Sequence, residues 1–389
     1  MTVKSKRILA IIFVAMIFIV GITTVWNCRH TISGIVKESS YLHCKSELED
    51  SIDKNIFQKN QWINVNGLLH RIMCETIVRG SGSEYDVYKL SNGQIMYNLD
   101  ERDMRDYAGQ LVKLDNELNK LGIGLTYVQL PNKIKDDSYM PPGTKTYGNI
   151  NADNLVALLR EESVDTIDIR EEIEKAGLDW SSLFFKTDHH WLPTTGLWAS
   201  GIIMEHLGDR YNYPINKSYY DYENYDSEVH ENWMLGAVGR RVGVLYDGLD
   251  DIEILNPKFQ TDFDLVGISD AGTDHRAGSF YDSMYLWDNL KNRADFVNNS
   301  YSTYIGKEYS IATVENKLNK NGMKILLIRD SFSCAITPFI SLNASSTKNI
   351  DLRRYKKNIL KLCKEYQPDA VVVAYNPSAF SKKQFDFFK

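Results

Sequence analysis

Cysteine is scarce. The 389 residues hold five, Cys28, Cys44, Cys74, Cys334 and Cys363, an odd number with no Cys-x-x-Cys pair. Neither a disulfide framework nor a zinc ribbon is legible in that spacing, and free cysteines are ordinary core residues. A basic excess is also missing: 45 Lys and Arg stand against 51 Asp and Glu, a net charge of -6 with a pI near 5.8. Nucleic acid is excluded as the main partner, because phosphate binding wants a basic face. The glycine-rich run Leu235-Gly236-Ala237-Val238-Gly239-Arg240-Arg241-Val242-Gly243 lacks both a lysine followed by Ser or Thr and a preceding strand, so it is no nucleotide loop. A zinc site from His189 and His190 is the weaker reading, because adjacent histidines are expected to point apart and no third ligand sits at usual metal spacing. No cofactor and no metal is expected.

With 43% hydrophobic and 25% charged residues, the chain can bury a sizeable core. The 23 Tyr and 7 Trp suit sugar rings, though such a composition is also ordinary for an extracellular domain. Lys4, Lys6 and Arg7 precede a run from Ile8 to Trp26, 19 residues without charge. As a helix that run is roughly 28 Å long, close to the hydrocarbon thickness of a bilayer. The basic flank predicts a single-pass cell-membrane protein with a cytoplasmic N-terminus and an extracytoplasmic domain. The residues before Cys28 show neither a small-x-small cleavage pattern nor a lipoprotein box, so the anchor is expected to stay. The predicted organisation is a cytoplasmic tip and anchor over 1–27, a polar stalk over 28–60, and one domain over 61–389.

That domain opens with a β-rich stretch over 61–100, in which Ser91-Asn92-Gly93 between apolar runs signals a hairpin. Helical spacing over 103–121 leads to a buried-type strand over 123–130. A helix over 152–162, a short strand over 166–169 and a helix over 171–176 follow. The alternation predicts an α/β fold with a mostly parallel sheet covered on both faces. Residues 208–300, rich in Asp, Asn, Tyr and Gly, read as loops and hairpins inserted at the rim.

Two stretches carry chemistry. In Lys186-Thr187-Asp188-His189-His190-Trp191 an aspartate lies two residues before a histidine, on a loop ahead of a helix. An aspartate so placed orients an imidazole and stabilises its charged form. The same residues also suit a surface turn whose histidines cap that helix. In Met323-Lys324-Ile325-Leu326-Leu327-Ile328-Arg329-Asp330-Ser331 an apolar strand ends in Asp-Ser before a segment able to open a helix. A serine there has backbone N–H groups beside it for a developing oxyanion; the lesser alternative is a serine that caps the helix.

Together the stretches resemble the DHHW proteins and the alginate O-acetyltransferases AlgJ and AlgX, which have an SGNH-hydrolase-like fold. The resemblance includes Leu130-Pro131-Asn132-Lys133, Tyr304-Ile305-Gly306 and Ile350-Asp351-Leu352-Arg353-Arg354-Tyr355. It implies Ser331 as nucleophile, His190 as general base and Asp188 as its orienting carboxylate, with no role for His189. It also points to Asn376, Arg353 and Tyr304 as oxyanion or substrate contacts. Asn376, before Pro377, equally suits a turn. Arg329 stands where SGNH enzymes have glycine. The activity implied is O-acetylation of a cell-surface polysaccharide through an acetyl-serine, the donor being supplied through a membrane-bound O-acyltransferase. An acetyl esterase and a non-catalytic polysaccharide-binding or assembly protein are the rival readings.

Overall fold

The computed structural model describes residues 3–35, 41–305 and 309–389. The chain divides into two units, Met1–Leu68 and Leu69–Lys389.

In the first unit one helix runs over Val3–Ile35, well past the predicted end of the anchor at Trp26. Lys4–Gly34 is long and apolar enough to cross a membrane. Instead of a simple stalk, a second helix over Tyr41–Asn55 packs on the polar half of the first. Phe57 N donates to Thr24 Oγ1 at 3.2 Å, Ser51 Oγ to Thr31 Oγ1 at 3.0 Å, and Cys28 is buried between them. Residues 36–40 of the predicted stalk lie outside the described residues.

The stretch beginning at residue 61 is not strand throughout: Lys59–Ile72 is helical. The predicted hairpin is present, with strands Val87–Lys89 and Ile95–Met96 joined through Gly93, whose φ of 83° is the left-handed conformation that glycine adopts freely.

Eight strands form the main sheet, in the spatial order Thr166–Asp168, Gly124–Gln129, Ala370–Tyr375, Met323–Arg329, Ala344–Ile350, Ile311–Asn316, Phe263–Ser269 and Gly272–Gly278. The first five are mutually parallel and the last three extend the sheet antiparallel. Parallel strands are covered on both faces, which is why they read as unbroken apolar runs. Alternation sorts them: Ile325 and Leu327 join the core under the helix Pro193–Tyr211, while Leu326 and Ile328 join the core under Arg105–Asn119, Gly148–Glu161 and Ile359–Tyr366.

The region 208–300 contains the hairpins expected of it, one of them more closely tied to the main sheet than an inserted loop. Tyr225–Met234 and Asp250–Pro257 make a separate two-stranded ladder, but Phe263–Ser269 and Gly272–Gly278 are integral strands of the main sheet. The loops that matter leave the carboxyl ends of the parallel strands, where open α/β sheets gather their sites.

Candidate active site

The strand Met323–Arg329 delivers Ser331 to its carboxyl edge. Asp330, not the serine, caps the short 3-10 turn Ser331–Ala335, its Oδ1 accepting from Phe332 N at 2.9 Å. Asp330 Oδ2 accepts from Asn376 N at 2.6 Å, tying the serine turn to the end of the last strand. Burial raises this carboxyl to about 6 against those two N–H groups.

Across 141 residues of sequence, His190 meets the serine. Its Nε2 lies 2.7 Å from Ser331 Oγ, and its Nδ1 lies 2.5 Å from Asp188 Oδ1. A carboxylate only accepts, so Nδ1 carries the proton and Nε2 is left to accept from the serine hydroxyl. All four lone-pair directions of Asp188 are used. Oδ1 also accepts from His190 N at 3.0 Å, while Oδ2 accepts from Ala237 N at 2.6 Å and from Asn299 Nδ2 at 3.1 Å. Burial alone would raise Asp188, yet His190, His189 and the Ala237 N–H hold it well below the usual carboxylate range.

The imidazole is clamped by rings. Tyr301 stacks on it with centroids 4.0 Å apart at 12°, and His189 lies on it at 3.8 Å. Tyr301 Oη and Trp191 Nε1 both donate to Phe332 O, at 2.7 and 3.0 Å, which fixes the residue after the serine.

Lys133, fully buried, spends its three protons on the carbonyls of Ile95, Lys186 and Asp188, each at 2.9 Å. Burial brings its ammonium down to about 8, with Asp250 and Asp188 resisting. Asp250 accepts from Thr187 N at 2.8 Å and also from Lys186 N. The run Leu235–Gly243 is the buttress of this loop. A Cβ on Gly236 would sit 2.4 Å from Asp188 N, and Gly239 N donates to Thr187 O at 2.8 Å. Lys133 and Gly236 stood in strings quoted from the sequence but were given no role there, and Asn299 and Tyr301 were not singled out. Their signal is contact with a loop up to 111 residues away in the chain.

His189 lines the cavity with Ser331, and its buried Nδ1 has no hydrogen-bond partner among the described residues. Burial, and then the charge of His190, push it down to about 3, so it is neutral at physiological pH. The expectation that His189 and His190 point apart without a third ligand is corrected here: the backbone turn brings their rings to 3.8 Å, and Asp188, His189 and His190 bring ligand atoms within 4.8 Å of one another. Both nitrogens of His190 are already engaged, however, so a metal here would break the serine contact.

The other residues expected here are placed differently. Asn376 is fully buried, Nδ2 donating to Pro131 O at 2.5 Å and Oδ1 accepting from Ser378 N at 2.9 Å, so its side chain closes a turn and is absent from the cavity lining. Tyr304 is a core residue whose hydroxyl joins Glu253 O and Leu255 N; Gly306 beside it lies outside the described residues. Arg353 does line the cavity, held by Asp351 at 3.0 Å through Nε and 2.5 Å through Nη2. The cavity encloses about 620 Å³, within the range that holds a small ligand.

Residues 91–231 match the family described as an SGNH hydrolase-like domain, acetyltransferase AlgX. The structure of Bacillus cereus PatB1 with a sulfonyl adduct is similar at TM-score 0.66 and 19% identity, covering 80% of this chain and 99% of that one. A DHHW family protein from Eubacterium siraeum DSM 15702 is similar at TM-score 0.58 and 19% identity, covering 77% and 91%. No curated protein sequence matches the chain. The likeness to both structures is one of fold, and the SGNH hydrolase-like description belongs to the family matched over 91–231.

Proposed function

We propose that this chain is a membrane-anchored, extracytoplasmic O-acetyltransferase that modifies a cell-surface polysaccharide through an acetyl-serine on Ser331. The observation that carries the reading is the Ser331–His190–Asp188 relay, with hydrogen bonds of 2.7 and 2.5 Å in line. The family matched over 91–231 supports acetyl transfer as the class of reaction.

In the first half-reaction Ser331 Oγ attacks the donor's acetyl carbonyl as its proton passes to His190 Nε2. The carbonyl π electrons move to the oxygen, the leaving group departs with the proton from His190, and the acetyl ester remains on Ser331. In the second, a sugar hydroxyl gives its proton to His190 and attacks the ester. Ser331 Oγ leaves and recovers that proton. Asp188 keeps Nδ1 protonated and stabilises the transient imidazolium. The donor side belongs to a membrane-bound O-acyltransferase partner, because acetyl-CoA is cytoplasmic.

The uncharged stretch 8–22 of the first helix, with Ile11, Phe13, Ile17 and Phe18 each more than half exposed, supports the anchor. With water in place of the sugar the same cycle is an esterase.

The test is mass spectrometry after brief exposure to a small activated acetyl ester. Wild type should gain one acetyl group on Ser331, and Ser331→Ala none. Acceptor polysaccharide should then shorten the lifetime of the acetyl-enzyme with transfer of label to the glycan. Label released only as acetate assigns the esterase, and no acetyl-serine under either condition rejects both enzymes in favour of a binding protein.

A further inference from the structure

His189 stands against the relay, and the relay does not use it. Its ring lies on that of His190 with centroids 3.8 Å apart at 38°, Tyr97 packs on it at 5.6 Å, and 16% of its side chain is exposed. The Asp188 carboxylate is 3.6 Å from Nδ1, too far for a hydrogen bond, and its lone pairs are already taken by His190, Ala237 and Asn299. Nδ1 is therefore sealed away with no partner among the described residues.

Charge decides which nitrogen carries the proton. A lone pair on Nδ1 would face the Asp188 carboxylate and be repelled, whereas an N–H there is attracted, and the buried setting enlarges the difference. Nδ1 holds the proton, so Nε2 holds the lone pair. Nε2 is neither bonded to a described residue nor sealed from solvent, so it is the nitrogen that opens to the cavity His189 lines beside Ser331. The imidazole is neutral, at about 3, and the lone pair stays free wherever His190 can act as a base.

Two imidazole nitrogens thus accept at one cavity wall. Nε2 of His190 is engaged by the Ser331 hydroxyl at 2.7 Å, and once an acetyl group occupies that oxygen it takes the proton of the attacking alcohol. Nε2 of His189 has no such duty. A site with an unpartnered acceptor favours a ligand that brings an O–H to it and rejects the analogue that lacks one. With the rings 3.8 Å apart, two hydroxyls on adjacent carbons of one sugar can meet one nitrogen each.

We infer that His189 determines acceptor specificity: its Nε2 accepts from the hydroxyl next to the one that is acetylated, so the acceptor sugar carries a vicinal diol. The inference deepens the acyl-transfer reading and rests on it for the word acceptor. A ring contact alone would need no nitrogen.

The acetyl-enzyme is formed on the full-length protein with a small activated acetyl ester, and its lifetime is followed with two neutral probes. One is methyl mannoside, whose ring has three contiguous secondary hydroxyls; the other is the analogue lacking the middle one, in which no two hydroxyls sit on adjacent carbons. Methyl mannoside should shorten the lifetime about fivefold more than the analogue does, the size of one hydrogen bond. His189→Phe keeps a ring against His190 without a nitrogen and should bring the two probes to the same rate. His189→Gln, whose Oε1 accepts near the place of Nε2, should recover part of the difference. Equal action of the two probes on wild type, no action by either, or a preference that survives in His189→Phe overturns the inference.

If His189→Phe does not fold, or wild type forms no acetyl-serine, NMR of histidine labelled on both ring nitrogens decides in the full-length Ser331→Ala protein. A protonated Nδ1, with an Nε2 signal that methyl mannoside shifts and the analogue does not, supports the inference. A proton on Nε2, or the same response to both probes, rejects it. A shifted Nε2 in a chain that makes no acetyl-serine sinks the transferase reading alone, whereas acetyl-serine consumed equally by both probes sinks this inference alone.

Discussion

The ammonium of Lys133 donates to the main-chain carbonyl of Asp188 at 2.9 Å, so the residue whose carboxylate orients His190 is pinned from behind by a buried charge. Lys133→Met should strand three carbonyls at once and cost about 3 kcal/mol or more of stability. Because a small displacement of a positioned group slows chemistry steeply, acetylation of Ser331 should fall at least about tenfold. Chemical denaturation and a single-turnover burst check the two effects. A burst of wild-type size would show that the loop holds its place unaided.

The relay should behave as a unit. Ser331→Ala and His190→Ala should each lower acetyl release by about three orders of magnitude or more, Asp188→Ala somewhat less, and the double variant His190→Ala/Asp188→Ala little more than His190→Ala alone. Additive losses in that cycle would separate Asp188 from the histidine.

Tyr301 acts on His190 through its ring and on Phe332 through its hydroxyl. Tyr301→Phe should cost about 1 kcal/mol of stability and little activity. Tyr301→Ala should cost about 3–5 kcal/mol and most of the acetylation rate, since the imidazole loses the face that holds its rotamer. Melting curves beside burst amplitudes distinguish the two roles.

Asp330 supplies a pH signature. Its carboxyl is raised from 3.8 to about 6 in the fold, so the fold takes up its proton more readily than the unfolded chain does. Its contribution to stability is therefore complete below about pH 4 and is lost as pH rises through about 6. Asp330→Asn cannot titrate. The melting temperature of the variant relative to wild type should climb between those limits, and a difference flat in pH would place the titration elsewhere.

Protease added to intact cells should digest residues 69–389 and spare a fragment containing Lys4–Gly34, as the extracytoplasmic reading requires. Full protection of the large unit would reverse the topology.

What the sequence disclosed follows from what kind of burial each segment has. Met323–Arg329 and Ala370–Tyr375 are buried on both faces and announce themselves as apolar runs. Tyr225–Met234 is largely solvent-exposed and polar, so its strand left no hydrophobic trace. Lys59–Ile72 carries Asn60, Asn64, Asn66 and Gly67, poor helix formers that hide its helical character. Within the site, Asp188, His190 and Ser331 were legible because their residue types and strand context state a chemistry. Lys133 and Gly236 were not, because a lysine bonded only to carbonyls and a glycine needed for a 2.4 Å approach acquire meaning only from partners distant in the chain. Asn376 was left open between an oxyanion contact and a turn, and its amide closes the turn, a choice set by Pro131 and Ser378 rather than by its place at a strand end.

The strand Ala370–Tyr375 lies between Gly124–Gln129 and Met323–Arg329. During synthesis it emerges after every other strand of the sheet, yet it alone joins the half that precedes the histidine loop to the half that carries the serine. Until it inserts, the nascent chain holds two partial sheets with open edges, a state prone to mispairing. Closure depends on contacts nearly 250 residues apart, such as Gln129 Nε2 to Tyr375 O across 246 residues, so folding should be slow relative to that of local motifs. The meeting of Ser331 with His190 thus depends on a strand that is made after all the others in its sheet.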